Sequence, residues 1–573
     1  MLSLIYFSNE IAFFLTPKIV YFIGMNRVFL FALLILSITG CLKKKETQPY
    51  ELPASFSFNS LRVNGKNAIT DYRGANAIPI IKISFTTAID SSSVPYALTF
   101  KDRNDFPIQL IVNYEGHDST IVLKPSLPLS YISNYIVNVS TSLKSKEGGS
   151  LISPVRLNLT TAIDSSYKFP VISDDSLLSL VQKQTFGYFW NFAHPVSGMA
   201  RERNSSGETV TTGGTGFGIM AIPVAIERKF ITRSEGLTRL STIVGFLKNN
   251  ALHFHGAFSH WMNGTIGTVV PFGASDDGAD LVETSYLIMG LLTARQYFNR
   301  IDIEETNLRS DINDLWNNVE WDWFRKNGED LLYWNWSPDN GWAVNVGVRG
   351  WNECLITYVL AASSTTHTIP KSVYDNGFAV NGTIKNNNSY FGILLPLGQA
   401  FGGPLFFEHY SFLGINPTNL SDSYANYHTQ TINHALINYN YCISDPKKYY
   451  GYSKLCWGLT ASDIQGGYSA SSPTNDVGVI APTAAISSIP YTPDKSLQAL
   501  RFFYYKMGDK LWGQYGFTDA FNLNNIWFAN SYLAIDQGPQ IGMIENYRTG
   551  LLWNLFMSCP EVQAGLIKLG FSY

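Results

Sequence analysis

The stretch DDSLLSLVQKQTFGYFW, residues 174–190, marks the point where the chain changes from strand to helix periodicity. Apolar residues recur there at helical spacing from Leu177 to Trp190, behind the acidic residues Asp174 and Asp175, which favour a helix start. The same pattern predicts roughly ten to twelve helices in all, the others near 215–229, 236–249, 280–299, 305–326, 351–364, 429–443, 495–509, 527–535, 541–557 and 560–569. Because hairpin-linked helices must bury their apolar stripes and no fixed repeat is visible, we expect a double ring of helices with functional loops at one rim.

Upstream of the helices, from about Ser55 to Thr161, apolar and polar residues alternate with a period of two. Short strands at regular spacing predict a small antiparallel β-sandwich, with boundaries near 55–164. The segments FTTAIDSSSV (85–94) and LNLTTAID (157–164) resemble bacterial Ig-like modules. No carboxylates or histidines cluster in this part, so we interpret the module as a spacer or accessory without chemistry.

The N-terminus predicts export. A basic start at Met25 to Arg27, an apolar stretch and small residues before Cys41 form a secretory signal, and the ending LSITGC resembles the bacterial lipobox. The resemblance implies cleavage before Cys41 and lipidation of its thiol. We therefore expect a signal region over 1–40 with the true start at Met25, a lipidated tether over 41–54, and an exported lipoprotein facing the periplasm or the cell surface.

Composition excludes several classes of protein. With 45% hydrophobic residues the chain of 573 residues can form a large core, which excludes wholesale disorder. The 41 basic residues nearly balance the 44 acidic ones, so the chain lacks the basic surface of a nucleic-acid binder. The aromatic content of 14% suits a neutral, polar-faced ligand such as a sugar. We expect a monomer that meets the membrane only through its lipid.

Common catalytic and cofactor motifs are absent from the sequence. It contains no HExxH or CxxC metal pattern, no P-loop and no GxSxG elbow. The glycine-rich run 213–218 lacks a preceding strand of a βαβ unit, so we expect a loop with unusual dihedral angles there. No metal or organic cofactor is predicted.

Carboxylates at loop-to-helix junctions carry the candidate chemistry. In GADLVETSYL (278–287), Asp280 and Glu283 are three apart and share one face at a helix start, although the same spacing fits a helix cap. In VGVRGWNECL (346–355), Glu353 lies beside Trp351, and desolvation by an indole raises the pKa of an acid as proton donation requires. The alternative there is an Arg349–Glu353 pair at helical spacing.

Four later motifs combine acids with amides, arginine or aromatics: LTASD (459–463), YGFTDAFN (515–522), AIDQGP (534–539) and ENYRTGLLW (545–553). Such groups hydrogen-bond hydroxyls and stack on pyranose rings. Turn or capping duty is an equally simple interpretation of Asp463, Asp519 and Asp536.

These motifs, together with TGGTGFGIMAIPVAIERKFITR (212–233), resemble in order the bacterial glucoamylase-like domain, whose best-described branch is the endo-β-1,2-glucanases of glycoside hydrolase family 144. The resemblance covers about 175–573. It implies a mainly α fold, an (α/α)6 toroid behind the small Ig-like β-sandwich, and inverting hydrolysis of a glucan without a metal or organic cofactor. Lys229 and the polar insertion 376–390 depart from the family pattern.

The resemblance also implies roles for individual residues. It places Glu353 as the proton donor, and we favour Asp280 as the base, with Asp536 and Glu283 as alternatives. The implied substrate-binding residues are Trp261, Trp334, Trp336, Trp342, Arg349, Trp351, Asn352, Asp463, Asp519, Gln537, Glu545, Asn546 and Arg548.

Two other functions remain open at this point. A polysaccharide lyase would need basic residues near its motifs, where few occur. A glycan-binding lipoprotein would not need the acids. Linkage specificity and endo or exo action are not encoded in any motif, and Cys442 and Cys456 are a possible disulfide pair.

Overall fold

The computed structural model describes residues 53–573. The predicted signal region, Cys41 and nearly all of the tether lie outside the described residues. Within the described chain no helix is both long and apolar enough to cross a membrane.

Two sheets facing each other form the first module. One has the strand order β2-β1-β4-β7-β6 and the other β3-β9-β8-β5, all antiparallel except β3 with β9. Alternate residues of the strands, such as Ile81, Ile83 and Phe85, fill the core between the sheets, which confirms the predicted sandwich. The elements are β1 Phe58–Val63, β2 Lys66–Ala68, β3 Asp71–Ala75, β4 Ile81–Phe85, the short helix α1 Val94–Ala97, β5 Leu98–Asp102, β6 Leu110–Glu115, β7 Thr120–Pro125, β8 Asn134–Val139 and β9 Val155–Thr161.

Helices dominate the rest of the chain. They are α2 Asp174–Trp190, α3 Thr212–Glu227, α4 Arg233–Asn249, α5 Leu281–Tyr297, α6 Ile303–Asn317, α7 Leu355–Ser363, α8 Tyr427–Ser444, α9 Pro482–Ser487, α10 Pro493–Leu511, α11 Ala534–Thr549, α12 Leu551–Met557 and α13 Pro560–Leu569. Capping residues fix several starts. The side chain of Ser173 accepts from the Ser176 N–H ahead of α2, and Thr232 with Glu235 forms a capping box ahead of α4.

The helices form an inner and an outer layer. In the inner layer α11 packs against α3 and α9, α3 packs against α5, and α5 packs against α7. These inner helices are buried almost all round, whereas α4, α6, α8 and α10 bury one face. Two 3₁₀ turns, Leu405–Glu408 and Ser411–Leu413, lie between the α7 and α9 sides of the inner layer.

The glycine-rich run 213–218 belongs to helix α3, so the prediction of a loop was wrong. The glycines serve close packing. A Cβ on Gly290 of α5 would lie 2.3 Å from the carbonyl oxygen of Gly216 of α3, which allows no side chain at either crossing position.

Short strand pairs connect the helices, and one of them overturns a predicted helix. Of the predicted helix 527–535, residues 527–533 are not helical, because Trp527–Phe528 pairs with Phe521–Asn522 and α11 begins only at Ala534. The predicted helix 541–557 is broken at Gly550, whose φ of 69° ends α11. The pairs are β10 Thr209–Thr211 with β11 Trp261–Asn263 and β12 Val269–Val270, β13 Ala279–Asp280 with β14 Asn335–Trp336, β15 Lys385–Tyr390 with β16 Ile393–Leu397, β17 Ala461–Ile464 with β18 Gly467–Ala470, β19 Trp512–Gly513 with β20 Gly516–Phe517, and β21 Phe521–Asn522 with β22 Trp527–Phe528.

The cysteines of the helical part are thiols. Cys354, Cys442, Cys456 and Cys559 are all buried and free, so Cys442 and Cys456 are not joined in this structure.

Candidate active site

The N-terminal end of α5 holds the first pair of predicted acids. Asp280 is the N-cap of this helix, and its Oδ1 accepts from the N–H groups of Val282 at 3.0 Å and Glu283 at 2.9 Å. Its Oδ2 lies 2.8 Å from Nδ1 of His260. Both oxygens of Asp280 therefore already have hydrogen-bond partners within the protein, unlike Oδ2 of Asp536 among the described residues. This geometry argues against the prediction that Asp280 is the base.

His260 is a charged residue that the sequence reasoning missed. Burial opposes its protonation, but the charge of Glu283, the hydrogen bond to Asp280 and the charge of Asp276 outweigh burial and raise the pKa of His260 to about 9. Its ring packs 4.2 Å from that of Phe272. A lone histidine gives no signal in one sequence, because only the fold brings it to the cap of α5.

Glu283 and Glu353 are two buried acids in the same region. Oε2 of Glu283 accepts from the N–H of Gly213 at 2.8 Å, at the start of α3. Burial raises the pKa of Glu283 to about 7, partly offset by His260. Burial, followed by the charges of Glu283 and Asp280, likewise raises the pKa of Glu353 to about 7. Glu353, in the loop before α7, is therefore largely protonated below neutral pH, as proton donation requires.

Asp463, Asp519 and Asp536 form a second acidic group. Oδ2 of Asp519 accepts from the Asp463 N–H at 2.6 Å, and Asp463 pairs with Nη1 of Arg203 at 3.0 Å. Burial, followed by the charge of Asp519, raises the pKa of Asp536 well above its usual range. Among residues 53–573, no donor reaches Oδ2 of Asp536 or Oδ1 of Asp519.

Tyr410 lies between the two acidic groups. Burial raises the pKa of its phenol, and the charges of Asp536, Glu353 and Glu283 raise it further. Tyr410 and Asp536 line one narrow pocket, and the charges of Glu353 and Glu283 also act on Tyr410. We refer to this pocket and the acids around it as the crevice.

A cavity of about 460 Å³ adjoins the second acidic group. Its walls are aromatic at Tyr468, Trp527 and Phe528, and polar at Arg203 and Asp463. The volume lies in the range of small-ligand pockets, and aromatic faces beside a few polar groups suit a sugar ring. In the described part of the chain no group of three or more His, Cys, Asp or Glu side chains is arranged to hold a metal ion.

Comparison with known proteins places this arrangement in a family. Residues 345–560 match the family model described as "Putative glucoamylase", and residues 63–161 match that of the bacterial Ig-like domain. The structure of an endo-beta-1,2-glucanase from Chitinophaga pinensis is 52% identical, covers 70% of this chain and 99% of its own, and superposes with a TM-score of 0.69. The chain belongs to the glucoamylase-like family. The predicted toroid fold and the family resemblance are thereby confirmed.

Two other relatives of this glucoamylase-like chain come from Parabacteroides distasonis. A beta-1,2-glucanase structure is 38% identical, covers 91% of this chain and 74% of its own, and has a TM-score of 0.68. A curated "Exo beta-1,2-glucooligosaccharide sophorohydrolase (non-reducing end)" is 47% identical over 427 residues, which are 71% of this chain. The aligned part spans 59% of the length of that curated relative.

The predicted aromatic and polar ligands of the glucoamylase-like domain differ in their exposure. Trp336 is partly exposed on the strand that pairs with that of Asp280, and partly exposed Trp261 follows His260, which contacts Asp280. Partly exposed Trp342 stacks on Trp323 at 4.9 Å. Arg349 is exposed. Trp334, Trp351, Asp519 and Gln537 are buried. Asn352 is partly exposed, and its Oδ1 accepts from the Cys354 N–H, whereas partly exposed Asp463 lines the cavity.

Three predicted ligands lie at the opposite end of α11. Glu545 pairs with Arg228 at 2.6 Å, Asn546 donates to the Leu413 carbonyl, and Arg548 donates to Asp175 and Gln182. At 1.5 Å per residue they lie roughly 14 to 18 Å along the helix from Asp536. Contact with a sugar at the acids is therefore excluded, and the prediction was wrong for these three residues.

Proposed function

We propose that the chain is a glycoside hydrolase that cleaves β-1,2-glucan with inversion at the crevice around Tyr410. The observation that carries the proposal is a buried Glu353 whose pKa is raised to about 7 near other acids, in a fold whose relatives are named as β-1,2-glucan hydrolases. The partly exposed tryptophans and the cavity beside Asp463 provide stacking surface and hydroxyl ligands for the glucosyl units.

Inversion requires one protonated and one ionised carboxyl with room for a water between them. Glu353 donates its proton to the leaving glycosidic oxygen. For the ionised partner we propose the Asp519–Asp536 pair, of which Asp536 lines the same pocket as Tyr410. Two adjacent buried acids retain one proton between them and so leave one carboxylate, and Arg203 beside Asp463 favours that negative charge. Asp280 and His260 would act as a fixed charged pair that orients the start of α5.

Incubation with linear β-1,2-glucan tests the reaction. We expect reducing sugar to appear and the first product to carry the α-anomer by NMR, since inversion of a β-linkage yields α. Product size separates endo action from release of terminal disaccharides. Products with an unsaturated, ultraviolet-absorbing sugar would indicate a lyase, and binding without cleavage would indicate a glycan-binding protein. Either result would refute the proposal.

Variants assign the two carboxyls. Glu353→Gln and Asp536→Asn should each lower kcat by two or more orders of magnitude while sophoro-oligosaccharide binding stays measurable by calorimetry. Azide is a small anion that replaces a missing carboxylate base, so it should restore activity to Asp536→Asn but not to Glu353→Gln. Rescue of the wrong variant would exchange the two assignments.

We further propose export as a lipoprotein anchored at Cys41 and a monomeric ring, both on sequence grounds. Labelling with a fatty-acid analogue in cells should mark the wild type but not Cys41→Ala, and membrane fractionation should release that variant. Light scattering of the chain lacking residues before 42 tests the monomer.

A further inference from the structure

A buried charged pair lies directly behind the loop that carries Glu353. Oε1 of Glu408 accepts from Nε1 of Trp351 at 2.9 Å and from Nε2 of Gln430 at 2.9 Å, and it lies 2.8 Å from Nδ1 of His434. Glu408 and His434 are each 0% exposed. Trp351 precedes Glu353 by two residues, so the pair contacts the proton donor's own loop.

The partners of His434 define its charge. Its Nδ1 faces the Glu408 carboxylate, and its Nε2 lies 3.0 Å from the carbonyl oxygen of Gly403. A carbonyl and an ionised carboxylate only accept hydrogen bonds, so an imidazolium that donates from both ring nitrogens satisfies this geometry. A buried ion pair of this kind is a poor source of stability, because desolvation offsets the attraction. Its presence therefore points to another role.

The backbone around His434 is folded to hold the ring. Phe401, Gly402 and Gly403 have φ values of 61°, 95° and 93°. A Cβ on Gly402 would lie 2.1 Å from the ring of His434. Phe401 adopts a left-handed conformation that is unfavourable for a residue with a side chain. Three consecutive left-handed residues thus bring the Gly403 carbonyl to Nε2.

The stretch 408–411 also contacts the backbone of Glu353 directly. Oγ of Ser411, three residues after Glu408, donates to the Glu353 carbonyl at 2.5 Å and accepts from the Ile356 N–H at 3.0 Å. The hydroxyl of Tyr491 donates to the Glu408 carbonyl at 2.7 Å. The loop is therefore held at two points, the indole of Trp351 and the backbone of Glu353, by one short stretch of chain.

We propose that the Glu408–His434 pair positions the proton donor: it fixes Trp351 and, through it, aims the Glu353 carboxyl at the leaving oxygen. Neither residue touches substrate. This inference rests on the proposed function. It predicts a defect confined to proton donation, which a role in stability alone would not produce.

Leaving groups of different acidity give the deciding measurement. Glu408→Gln should lower kcat on β-1,2-glucan at least tenfold, with KM within twofold of the wild type. On 2,4-dinitrophenyl β-sophorotrioside the loss should stay below threefold, because that leaving group departs without protonation. Glu305→Gln is the matched control, since Glu305 is a buried glutamate paired with Arg233 at 2.7 Å on the outer layer. It should lower Tm but leave kcat unchanged on both substrates.

A second variant covers the case in which Glu408→Gln does not fold. Trp351→Phe removes the indole N–H together with the five-membered ring that carries it and keeps the Glu408–His434 pair, and it should show the same dependence on leaving group. In that background Glu408→Gln should add less than threefold, because the two changes act through one contact. Equal losses on both substrates, or an unchanged kcat on glucan, would overturn the inference. A wild type inactive on both substrates would instead overturn the proposed function.

Discussion

Replacing Glu353 by Gln is expected to inactivate the protein and, above pH 7, to stabilise it. The two effects share one cause. The Glu353 side chain is 7% exposed, and burial, followed by the charges of Glu283 and Asp280, raises its pKa from 4.5 to about 7. At pH 6 about nine-tenths of the carboxyl is then protonated, against about 3% at the ordinary pKa, a roughly 30-fold gain in the form that donates a proton.

The raised pKa of Glu353 also sets the expected change in the free energy of unfolding. The native state binds the Glu353 proton more tightly than the unfolded chain, so the free energy of unfolding of the wild type falls as pH rises from 4.5 to about 7. The difference between these two pKa values corresponds to roughly 3 kcal/mol. Gln has no proton to lose. The variant should therefore gain up to roughly 3 kcal/mol over the wild type above pH 7, and the gain should vanish near pH 4.5.

Urea unfolding followed by tryptophan fluorescence between pH 4.5 and 8 measures this difference. All 13 tryptophans lie at or after residue 190, so the signal reports the helical domain and not the Ig-like module. Glu304→Gln, at an exposed glutamate of the same domain, is the control and should show no such pH dependence. A Glu353→Gln variant whose advantage does not grow with pH, or which retains near-normal turnover, would refute the reasoning.

Three further predictions use other parts of the crevice. Gly213→Ala should lower kcat at least tenfold, because its Cβ would lie 2.5 Å from Oε2 of Glu283. The control Gly245→Ala, whose Cβ would lie in open space in another helix, should leave kcat unchanged. Equal effects of the two variants on kcat would contradict the close approach of Gly213 to Glu283. His260→Gln should be less stable than the wild type below pH 6.5, and the denaturant unfolding curves of the two proteins should converge above pH 9. The reason is that the pKa of His260 is raised from 6.5 to about 9, so its contribution to stability is lost as pH rises through that value. A stability difference that persists at pH 10 would refute the charge assignment. Trp527→Ala should raise KM for sophoro-oligosaccharides about tenfold with little change in kcat, since stacking on one side of the cavity binds substrate and transition state alike; a change confined to kcat would count against a sugar in the cavity.

The local parts of the fold were predictable from the sequence. The capping box at Thr232 and Glu235 has a spacing that fixes a helix start whatever surrounds it. The glycines at 213–218 show the limit of such reasoning. Within one segment they indicate a turn, and only the partner helix α5, some 70 residues later, explains why they stand inside a helix. The helix predicted at Trp527 and Phe528 was wrong for a similar reason, because pairing with β21 decides the conformation of these two residues.

The candidate site was predictable where a motif marks a helix start. Asp280 and Glu283 lie three apart, and the helix cap that this spacing fits occurs in the structure at Asp280. His260 and Glu408 carry no such mark, because each acquires its charged partner through the fold. For Glu545, in contrast, a motif suggested a place in the site that the fold does not give it. Its motif lies on the same helix as Asp536, but nine residues of helix separate the two ends of the ring.

Buried acids at the two ends of the inner helices have their pKa values shifted in opposite directions. At the far end, burial favours the neutral form of Glu545, but hydrogen bonds from Arg228, Gln182 and Thr549 outweigh it and lower the pKa. At the crevice end, Glu353 and Asp536 are equally enclosed, yet no arginine contacts either carboxyl within the described chain, and burial raises both pKa values. A buried acid with a bidentate arginine is a structural tie, whereas Glu353, which no cationic side chain of the described residues contacts, holds a proton that it can transfer. The presence or absence of a cationic partner therefore separates the structural acid Glu545 from the proton donor Glu353.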